Sequence, residues 1–202
     1  MKKIFKLLFF LNLAFFAAYL LYLNEQVKSV FSSSIDEDEN TVYLEYPLET
    51  YPKELINMLL LVEDQSFYQH FGVDFIEIGR VLSTHLVDDK PLRGASTITQ
   101  QLIKNTLLSS KQTLRRKVDE ALMAMLMELY YDKNFILERY MNTVYLAQDG
   151  AVAVHGFAAA GEHYFDRSVE QLNLDEMAML VALLKGPSYY HPVRHPERLE
   201  KR

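Results

Sequence analysis

The sequence has no cysteine among its 202 residues. This absence excludes disulfide bonds, thiolate metal ligands and a cysteine nucleophile, and it leaves the redox compartment open. Internal repeats are absent as well. Half of the residues are hydrophobic, so the chain can bury a sizeable core, and its length suits one domain of ordinary size with a short appendage.

The third absence is that of acidic residues from one segment of the chain. No Asp or Glu occurs between Lys90 and Val118, although the chain has 27 acidic residues and a net charge of −6. Clustered cations predict an anionic ligand, and the phosphate or pyrophosphate of a small or lipid-linked substrate fits best. A basic patch facing anionic lipid headgroups is the alternative, whereas the overall acidity and the lack of interleaved aromatic residues argue against nucleic acid. The cations of this acid-free segment are Lys90, Arg93, Lys104, Lys111, Arg115, Arg116 and Lys117.

A long apolar run lies near the N-terminus. Residues 7–23 include one clearly polar side chain, Asn12, and approach the roughly 20 residues that a membrane-spanning helix needs. Tyr19 and Tyr22 lie where an interfacial aromatic belt is expected. No small-residue cleavage site follows, which favours a retained anchor over a cleaved signal peptide. Three cations before the run predict a cytoplasmic N-terminus and an extracytoplasmic domain: Lys2, Lys3 and Lys6.

The chain divides into three regions by composition. Residues 1–23 are the cytoplasmic tip and transmembrane anchor, residues 24–46 a linker, and residues 47–202 the main domain. Within the linker, serines at 32–34 and acids at 36–39 indicate a solvated segment. Residues 41–46 alternate in twos and predict a short extended piece.

The main domain is predicted to be mainly helical, because apolar residues recur there at helical spacing and few residues remain for a sheet. Thr97 and Gln100 form a capping box at the start of one helix. The predicted helices cover residues 52–68, 74–87, 98–108, 112–131, 134–146, 152–164 and 174–184.

The helix predicted over 112–131 is apolar on two sides, which indicates a buried helix. Glu120 near its start shares a face with Arg116 and Lys117, so a carboxylate and two cations are expected together near the middle of the molecule. A purely structural ion pair is the alternative. One apolar side carries Val118, Leu122, Met125, Leu126 and Leu129, and the other Met123, Ala124 and Met127.

A second carboxylate ends another apolar helix. The stretch LLLVEDQSFYQHFG, residues 59–72, places Glu63 and Asp64 after a hydrophobic face. On the wall of a cleft, Glu63 would be placed as a general base. Two carboxylates that flank a sugar bond are typical of glycosyl chemistry, and a separation of about 6.5–9.5 Å permits inversion. A lysozyme-like or lytic muramidase, and a non-catalytic membrane-anchored scaffold for cell-wall proteins, remain alternatives.

Five ordered motifs carry a family resemblance. They resemble those of glycosyltransferase family 51, the peptidoglycan glycosyltransferases that occur alone or as the N-terminal module of class A penicillin-binding proteins. The resemblance covers about residues 52–198. The motifs are EDQSFYQHFG at 63–72, GASTITQQLIKN at 94–105, RKVDEA at 116–121, ILERYMN at 136–142 followed by Tyr145, and EMAML at 176–180 with GPSYYHP at 186–192.

The resemblance implies a lysozyme-like, two-lobed helical domain that polymerises lipid II and releases undecaprenyl pyrophosphate. Glu63 would be the catalytic base and Glu120 the second catalytic carboxylate. Mg²⁺ or Mn²⁺ is an expected activator, although no dedicated metal motif is present. The residues implied to bind substrate are Asp64, Ser96, Gln101, Lys104, Arg116 and Lys117.

The resemblance also implies a location and partners. The protein is expected in the bacterial cytoplasmic membrane as a single-pass protein, acting on lipid II and the growing glycan strand, with cell-wall synthesis or division proteins as further partners and no nucleic acid. The sequence lacks Ser-x-x-Lys and Lys-Thr-Gly, so no penicillin acylation site is expected. A monofunctional enzyme and the N-terminal part of a bifunctional protein both fit. The family's membrane-dipping region corresponds to residues 70–94, with Phe75, Ile76, Ile78, Val81 and Leu82 as apolar candidates.

Overall fold

A computed structural model describes residues 2–31, 41–42, 44–88, 94–109, 111 and 113–202. Helices dominate these residues, which confirms the predicted mainly helical class. The helices are α1 Lys2–Phe31, α2 Lys53–Glu63, α3 Phe75–Asp88, α4 Ile98–Leu107, α5 Leu114–Met127, α6 Lys133–Thr143, α7 Phe157–Phe165, α8 Leu174–Leu183 and α9 Pro196–Glu200. Three short strands accompany them, β1 Thr41–Val42, β2 Tyr145–Asp149 and β3 Val152–His155.

One hydrophobic core joins most of these elements. Helix α4 packs against α5 and α6, and α2 packs against α8. Apolar residues three or four positions apart place one face of each helix in this core, where removal from water stabilises the fold. The largest fully buried side chains include Leu55, Leu59, Phe67, Ile98, Leu102, Ile103, Ile136, Leu137, Tyr140, Met141 and Phe157.

The small sheet has the order β1-β3-β2. Strand β1 pairs in parallel with β3, and β2 pairs with β3 as an antiparallel hairpin. The extended piece predicted at 41–46 is thus present at Thr41 and Val42, while Tyr43 lies outside the described residues.

The helix predicted over 152–164 is wrong for its first four residues, which form β3. Helix α7 begins only after Gly156, whose φ of +82° suits glycine and whose Cα approaches the Asn142 carbonyl too closely for a Cβ. Likewise α6 ends at Thr143 instead of 146, because residues 145–149 pair as β2.

Helix α2 ends at Glu63, five residues before the predicted end. Asp64 adopts an extended φ of −162°, and its carboxylate accepts a hydrogen bond from the Ile98 amide of α4. A tertiary contact therefore stops the helix.

The start of α5 also differs from the predicted one. Thr113 caps the first turn of α5 by accepting a hydrogen bond from the Arg116 amide. Gln112, the predicted start, lies outside the described residues.

Helix α5 is fully buried on one side and partly buried on the other, where Leu122 and Leu126 pack against the core, so the predicted all-round burial is only partly present. Glu120, Met123, Ala124 and Met127 face the core, and Glu120 is 1% exposed. The other predicted stripe is half-buried or exposed, and Val118 keeps 56% of its surface. The expectation that Glu120 lies in the interior is confirmed.

Helix α1 is long and apolar enough to cross a membrane. It continues to Phe31, so residues 24–31, which the sequence predicts as the start of a linker, are helical. Leu23, Val27 and Phe31, four residues apart, form one buried face, because α1 packs against α4 and α5. The predicted serine and acid clusters at 32–39 lie outside the described residues.

The loop after α2 approaches α5 closely at Gly72. Its φ is +76°, and a Cβ would lie 2.6 Å from the backbone carbon and oxygen of Ala124.

We expect Gly72→Ala to lower the free energy of unfolding by about 2–3 kcal/mol, because backbone strain and overpacking combine at this position. Gly79→Ala in α3 is the matched control: no atom lies within 4 Å of its Cβ, and we expect a gain of about 0.5–1 kcal/mol.

Denaturant unfolding of both variants in detergent, followed by far-ultraviolet circular dichroism, measures the difference. Equal shifts for the two substitutions would contradict the close approach at Gly72.

Candidate active site

Glu63, the last residue of α2, lies on the wall of a cleft of about 950 Å³. The end of α2, the loop after it, the first turns of α3 and the segment before α4 form this cleft. Other lining residues include Asp64, Ser66, His70 and Ser96. The cleft is large enough for a sugar-sized ligand.

A chain of two hydrogen bonds orients the Glu63 carboxylate. The Gln101 amide Nε2 donates to Glu63 Oε2 at 2.8 Å, and the Tyr140 hydroxyl donates to Gln101 Oε1 at 3.0 Å. Burial raises the pKa of Tyr140 well above its ordinary value, so this hydroxyl stays protonated and donates. With Oε1 accepting from Tyr140, the Gln101 amide must present its NH₂ group to Glu63.

Cations surround the second carboxylate. Lys117 Nζ contacts Glu120 Oε1 and donates to Ser96 Oγ at 2.7 Å, and Arg116 Nη1 lies 3.4 Å from Glu120 Oε2. Glu120 is buried, and a buried carboxylate is stable only when it is paired and hydrogen-bonded. The ion-pair group expected from the helical spacing is therefore assembled. Because Ser96 lines the cleft, this group reaches the same cleft as Glu63.

The remaining predicted cations that the structure describes are exposed to solvent. Lys104 is exposed on α4 one turn after Gln101, hence on the same side of the helix. Arg115 and Lys111 are exposed, and Arg115 Nε lies 3.9 Å from Asp119 Oδ2. Lys90 and Arg93 lie outside the described residues. Direct contacts thus join Arg116, Lys117, Glu120 and Ser96, and separately Gln101 and Glu63.

Asp64 makes contacts within the protein, whereas the sequence predicts it as a substrate-binding residue. Its carboxylate is buried, accepts from the Ile98 amide at 2.9 Å and lies 3.0 Å from His70 Nε2. The Ile98 amide belongs to the first turn of α4, where a negative charge is favoured. Asp64 therefore fixes the loop after Glu63 to the start of α4.

Two polar groups near the site were not singled out from the sequence. Tyr140 lies inside the fourth motif, and the signal was a hydroxyl on an otherwise apolar helix face, which needs a partner when buried. Asp74 lines the cleft and accepts a hydrogen bond from Ser66, which holds the pKa of Asp74 below its ordinary value. No sequence signal linked Asp74 to Ser66, which is eight positions away.

Asn142, the last residue of the fourth motif, is a structural support. Its side chain is buried and bonds to the backbone of Tyr46 through both its oxygen and its nitrogen, and to the Tyr51 hydroxyl. These bonds fix the segment before α2 to α6.

The helical, lysozyme-like fold, the cleft with Glu63 on its wall and the carboxylate–cation group that contacts Ser96 of this cleft define a glycosyltransferase domain. The chain belongs to the transglycosylase family, because the sequence model described as Transglycosylase matches residues 28–202.

Curated relatives agree with this family. The chain is 44% identical over 167 residues to penicillin-binding protein 1B of Haemophilus influenzae, covering 82% of the chain and 21% of the relative. It is 43% identical over 181 residues to penicillin-binding protein 1B of Vibrio cholerae, covering 90% and 23%. The protein of the same name from Escherichia coli is 46% identical over 157 residues, covering 77% and 19%. The chain therefore spans about a fifth of the length of these relatives.

The internal role of Asp64 predicts a loss of stability. We expect Asp64→Ala to lower the free energy of unfolding by about 1–3 kcal/mol, because it leaves a buried amide and a buried imidazole nitrogen without their acceptor. Gln65→Ala, at the exposed neighbouring position, should stay within about 0.5 kcal/mol of the parent protein. Denaturant titration compares the two, and unchanged stability of Asp64→Ala would refute the internal role.

Proposed function

We propose that the chain is a peptidoglycan glycosyltransferase that polymerises lipid II into glycan strands and releases undecaprenyl pyrophosphate. The observation that carries this proposal is the single cleft that holds Glu63 on one wall and Ser96 on another, with the Lys117 ammonium bound to Ser96. A proton acceptor and a binding group for an anionic leaving group are thus presented to one substrate.

Glu63 is the proposed general base. Gln101 binds Oε2 of Glu63, which leaves Oε1 to accept the proton of the acceptor hydroxyl. That hydroxyl oxygen then forms a bond to the anomeric carbon of the donor sugar as the bond from this carbon to the diphosphate oxygen breaks. The electron pair leaves with the diphosphate, and attack on the opposite face inverts the anomeric configuration.

The cations stabilise the charge that develops on the departing diphosphate, which is commonly the largest electrostatic contribution to such catalysis. The Lys117 side chain is exposed to solvent and donates a hydrogen bond to Ser96. Arg116 Nε is buried and has no hydrogen-bond partner among the described residues. Lys104 adds charge from α4. Because Glu120 is buried and bound to two cations, we propose that it positions Arg116 and Lys117.

A divalent cation would need oxygen or nitrogen ligands that converge on one point. Within the part of the chain that the structure describes, no group of three or more His, Asp or Glu side chains comes together as metal ligands. Glu63 and Glu120 are already bound by Gln101 and by two cations. These residues do not fit a dedicated site for Mg²⁺ or Mn²⁺, and the proposed steps therefore use side chains alone.

The proposed location is the bacterial cytoplasmic membrane, with one span, a cytoplasmic N-terminus and the catalytic domain outside. Helix α1 and the similarity to penicillin-binding proteins 1B support an inner-membrane protein. The cations at Lys2, Lys3 and Lys6 support the orientation. Lipid II, the growing strand and cell-wall synthesis or division proteins are the proposed partners.

The role of Glu63 is tested by Glu63→Gln. This change keeps the size of the side chain and removes the proton acceptor, so we expect polymerisation of labelled lipid II to fall by about 10²–10⁴-fold while the protein stays folded. Glu54→Gln, at an exposed position in the first turn of the same helix, is the matched control and should retain activity.

Gel analysis of the labelled products measures both variants. Polymer formation by Glu63→Gln at the parent rate would contradict the assignment of the base, and cleaved glycan in place of polymer would favour a muramidase.

The hydrogen-bond chain behind Glu63 is tested by Tyr140→Phe. Without the hydroxyl, the Gln101 amide loses the partner that fixes its orientation, so we expect kcat to fall by about three- to tenfold with little change in KM, the equivalent of roughly 1 kcal/mol. Tyr68→Phe, at an exposed ring, is the control. A Tyr140→Phe protein with parental kcat would show that Gln101 needs no such support.

A further inference from the structure

We infer that a second cavity, formed by β2, α7 and the loop after α8, binds the C-terminal carboxylate of a peptide. This inference goes beyond lipid II polymerisation and does not depend on the proposed role of Glu63. The cavity has a volume of about 340 Å³, and none of its described lining residues lines the cleft of Glu63. Its lining residues include Tyr145, Gln148, Tyr164, Ser188, His191 and Arg194.

The loop after α8, which forms one wall of the cavity, is fixed by its own hydrogen bonds. The Tyr189 amide donates to the Gly186 carbonyl at 3.0 Å, and the His195 amide donates to the His191 carbonyl at 2.8 Å. The His191 ring also packs edge-on against Tyr164 of α7, with the ring centroids 6.5 Å apart. This wall is therefore preorganised, which reduces the entropy that a ligand would lose in ordering it.

His191 presents a hydrogen-bond donor in this wall. Its Nδ1 accepts from the backbone amides of Val193 at 3.2 Å and Arg194 at 3.4 Å. Burial, and then the charge of Arg194, lower the pKa of His191, so the ring is uncharged at neutral pH. An uncharged imidazole whose Nδ1 accepts has its hydrogen on Nε2. Nε2 of His191 therefore remains as a donor for a ligand.

Positive charge dominates the polar lining. Arg194 is exposed, and no Asp or Glu is among the described residues that line the cavity. Ser188 adds an exposed hydroxyl from the same loop. A guanidinium, an imidazole N–H and a hydroxyl can each donate to an oxygen of a carboxylate, and the bond from the charged group is the strongest. The lining thus favours an anionic ligand.

Other polar side chains of the cavity already have partners. Gln148 Oε1 accepts from the Tyr145 hydroxyl at 3.3 Å, and Gln148 Nε2 donates to the Gly150 carbonyl at 3.2 Å. The Tyr164 hydroxyl donates to the Leu146 carbonyl at 3.2 Å. Burial raises the pKa of Tyr164 to about 12, so this phenol adds no negative charge. A neutral sugar, whose hydroxyls need acceptors as well as donors, therefore fits the lining less well than a carboxylate.

The rings and the volume limit the rest of the ligand. Tyr145 and Tyr164 are half-buried, so their rings offer apolar contact beside the polar groups. The volume is near the lower end of ligand cavities, which suits one or two small amino acids. At Gly150, in the turn between β2 and β3, a Cβ would meet no atom within 4 Å, so the cavity is open there and a longer chain can continue outwards. A carboxylate on small residues with a continuing chain is a peptide C-terminus.

Ligand-observed NMR on the full chain in detergent tests the inference. The probe is N-acetyl-alanyl-alanine with a free carboxylate, and its C-terminal amide is the matched ligand without the charge. Saturation-transfer titrations give a dissociation constant for each. We expect the amide to bind about tenfold more weakly than the acid, because it loses the charge-assisted hydrogen bonds.

Three variants of the chain complete the test. Arg194→Gln removes the guanidinium from the cavity, and we expect it to weaken binding of the acid by about tenfold. Arg202→Gln removes the same charge from an exposed position outside the cavity and should bind the acid like the parent protein. Glu63→Gln should also bind it like the parent, since Glu63 is not a lining residue of this cavity.

The possible results separate this inference from the proposed function. No binding of the acid, equal binding of acid and amide, or a parental dissociation constant for Arg194→Gln would overturn the inference. Loss of binding in Glu63→Gln would place the probe in the cleft and overturn it as well. Binding of N-acetylglucosamine in place of the acid would show a sugar site instead. Polymerisation of lipid II is measured independently, so its failure would leave the binding result intact.

Discussion

The site depends on one buried carboxylate. Glu120 has almost no contact with solvent, and its two oxygens are bound by Lys117 and Arg116 from the preceding turn of the same helix. Removing one partner of such a group leaves an uncompensated charge in the interior, at a cost of about 3–5 kcal/mol. The positions of both cations are therefore coupled to the packing of α5 against α4, so the core also determines where a diphosphate would be held.

Helix α4 connects this centre to Glu63, the proposed general base. At its start, the Ile98 amide binds Asp64, the residue after Glu63, and one turn later Gln101 binds Glu63 itself. On another side of the same helix, Thr99 donates to Glu128 at 2.7 Å, which also binds Lys133. A single helix therefore fixes the end of α2, the end of α5 and the start of α6, and a shift of α4 would displace the base and the cations together.

Local patterns predicted the features that depend on neighbours in sequence. The capping box at Thr97 and Gln100 is present with both hydrogen bonds, and the spacing of Arg116, Lys117 and Glu120 places them together as expected. The contact of Gln101 with Glu63 spans 38 residues and that of Tyr140 with Gln101 spans 39, so no helical periodicity could predict them. The end of α2 was missed for the same reason, since a distant amide terminates it.

The partly exposed side of α5 shows a different limit of sequence analysis. Both sides of the helix are apolar, and hydrophobic periodicity alone predicts burial of both. Glu120 lies on the side that enters the core, where Arg116 and Lys117 bind its two oxygens and Lys117 also donates to Ser96, just before α4. On the other side, Leu122 and Leu126 pack partly against the core, whereas Leu114 and Val118 remain exposed. Helical periodicity therefore predicts an apolar helix, but contacts with residues distant in sequence decide how much of each side is buried.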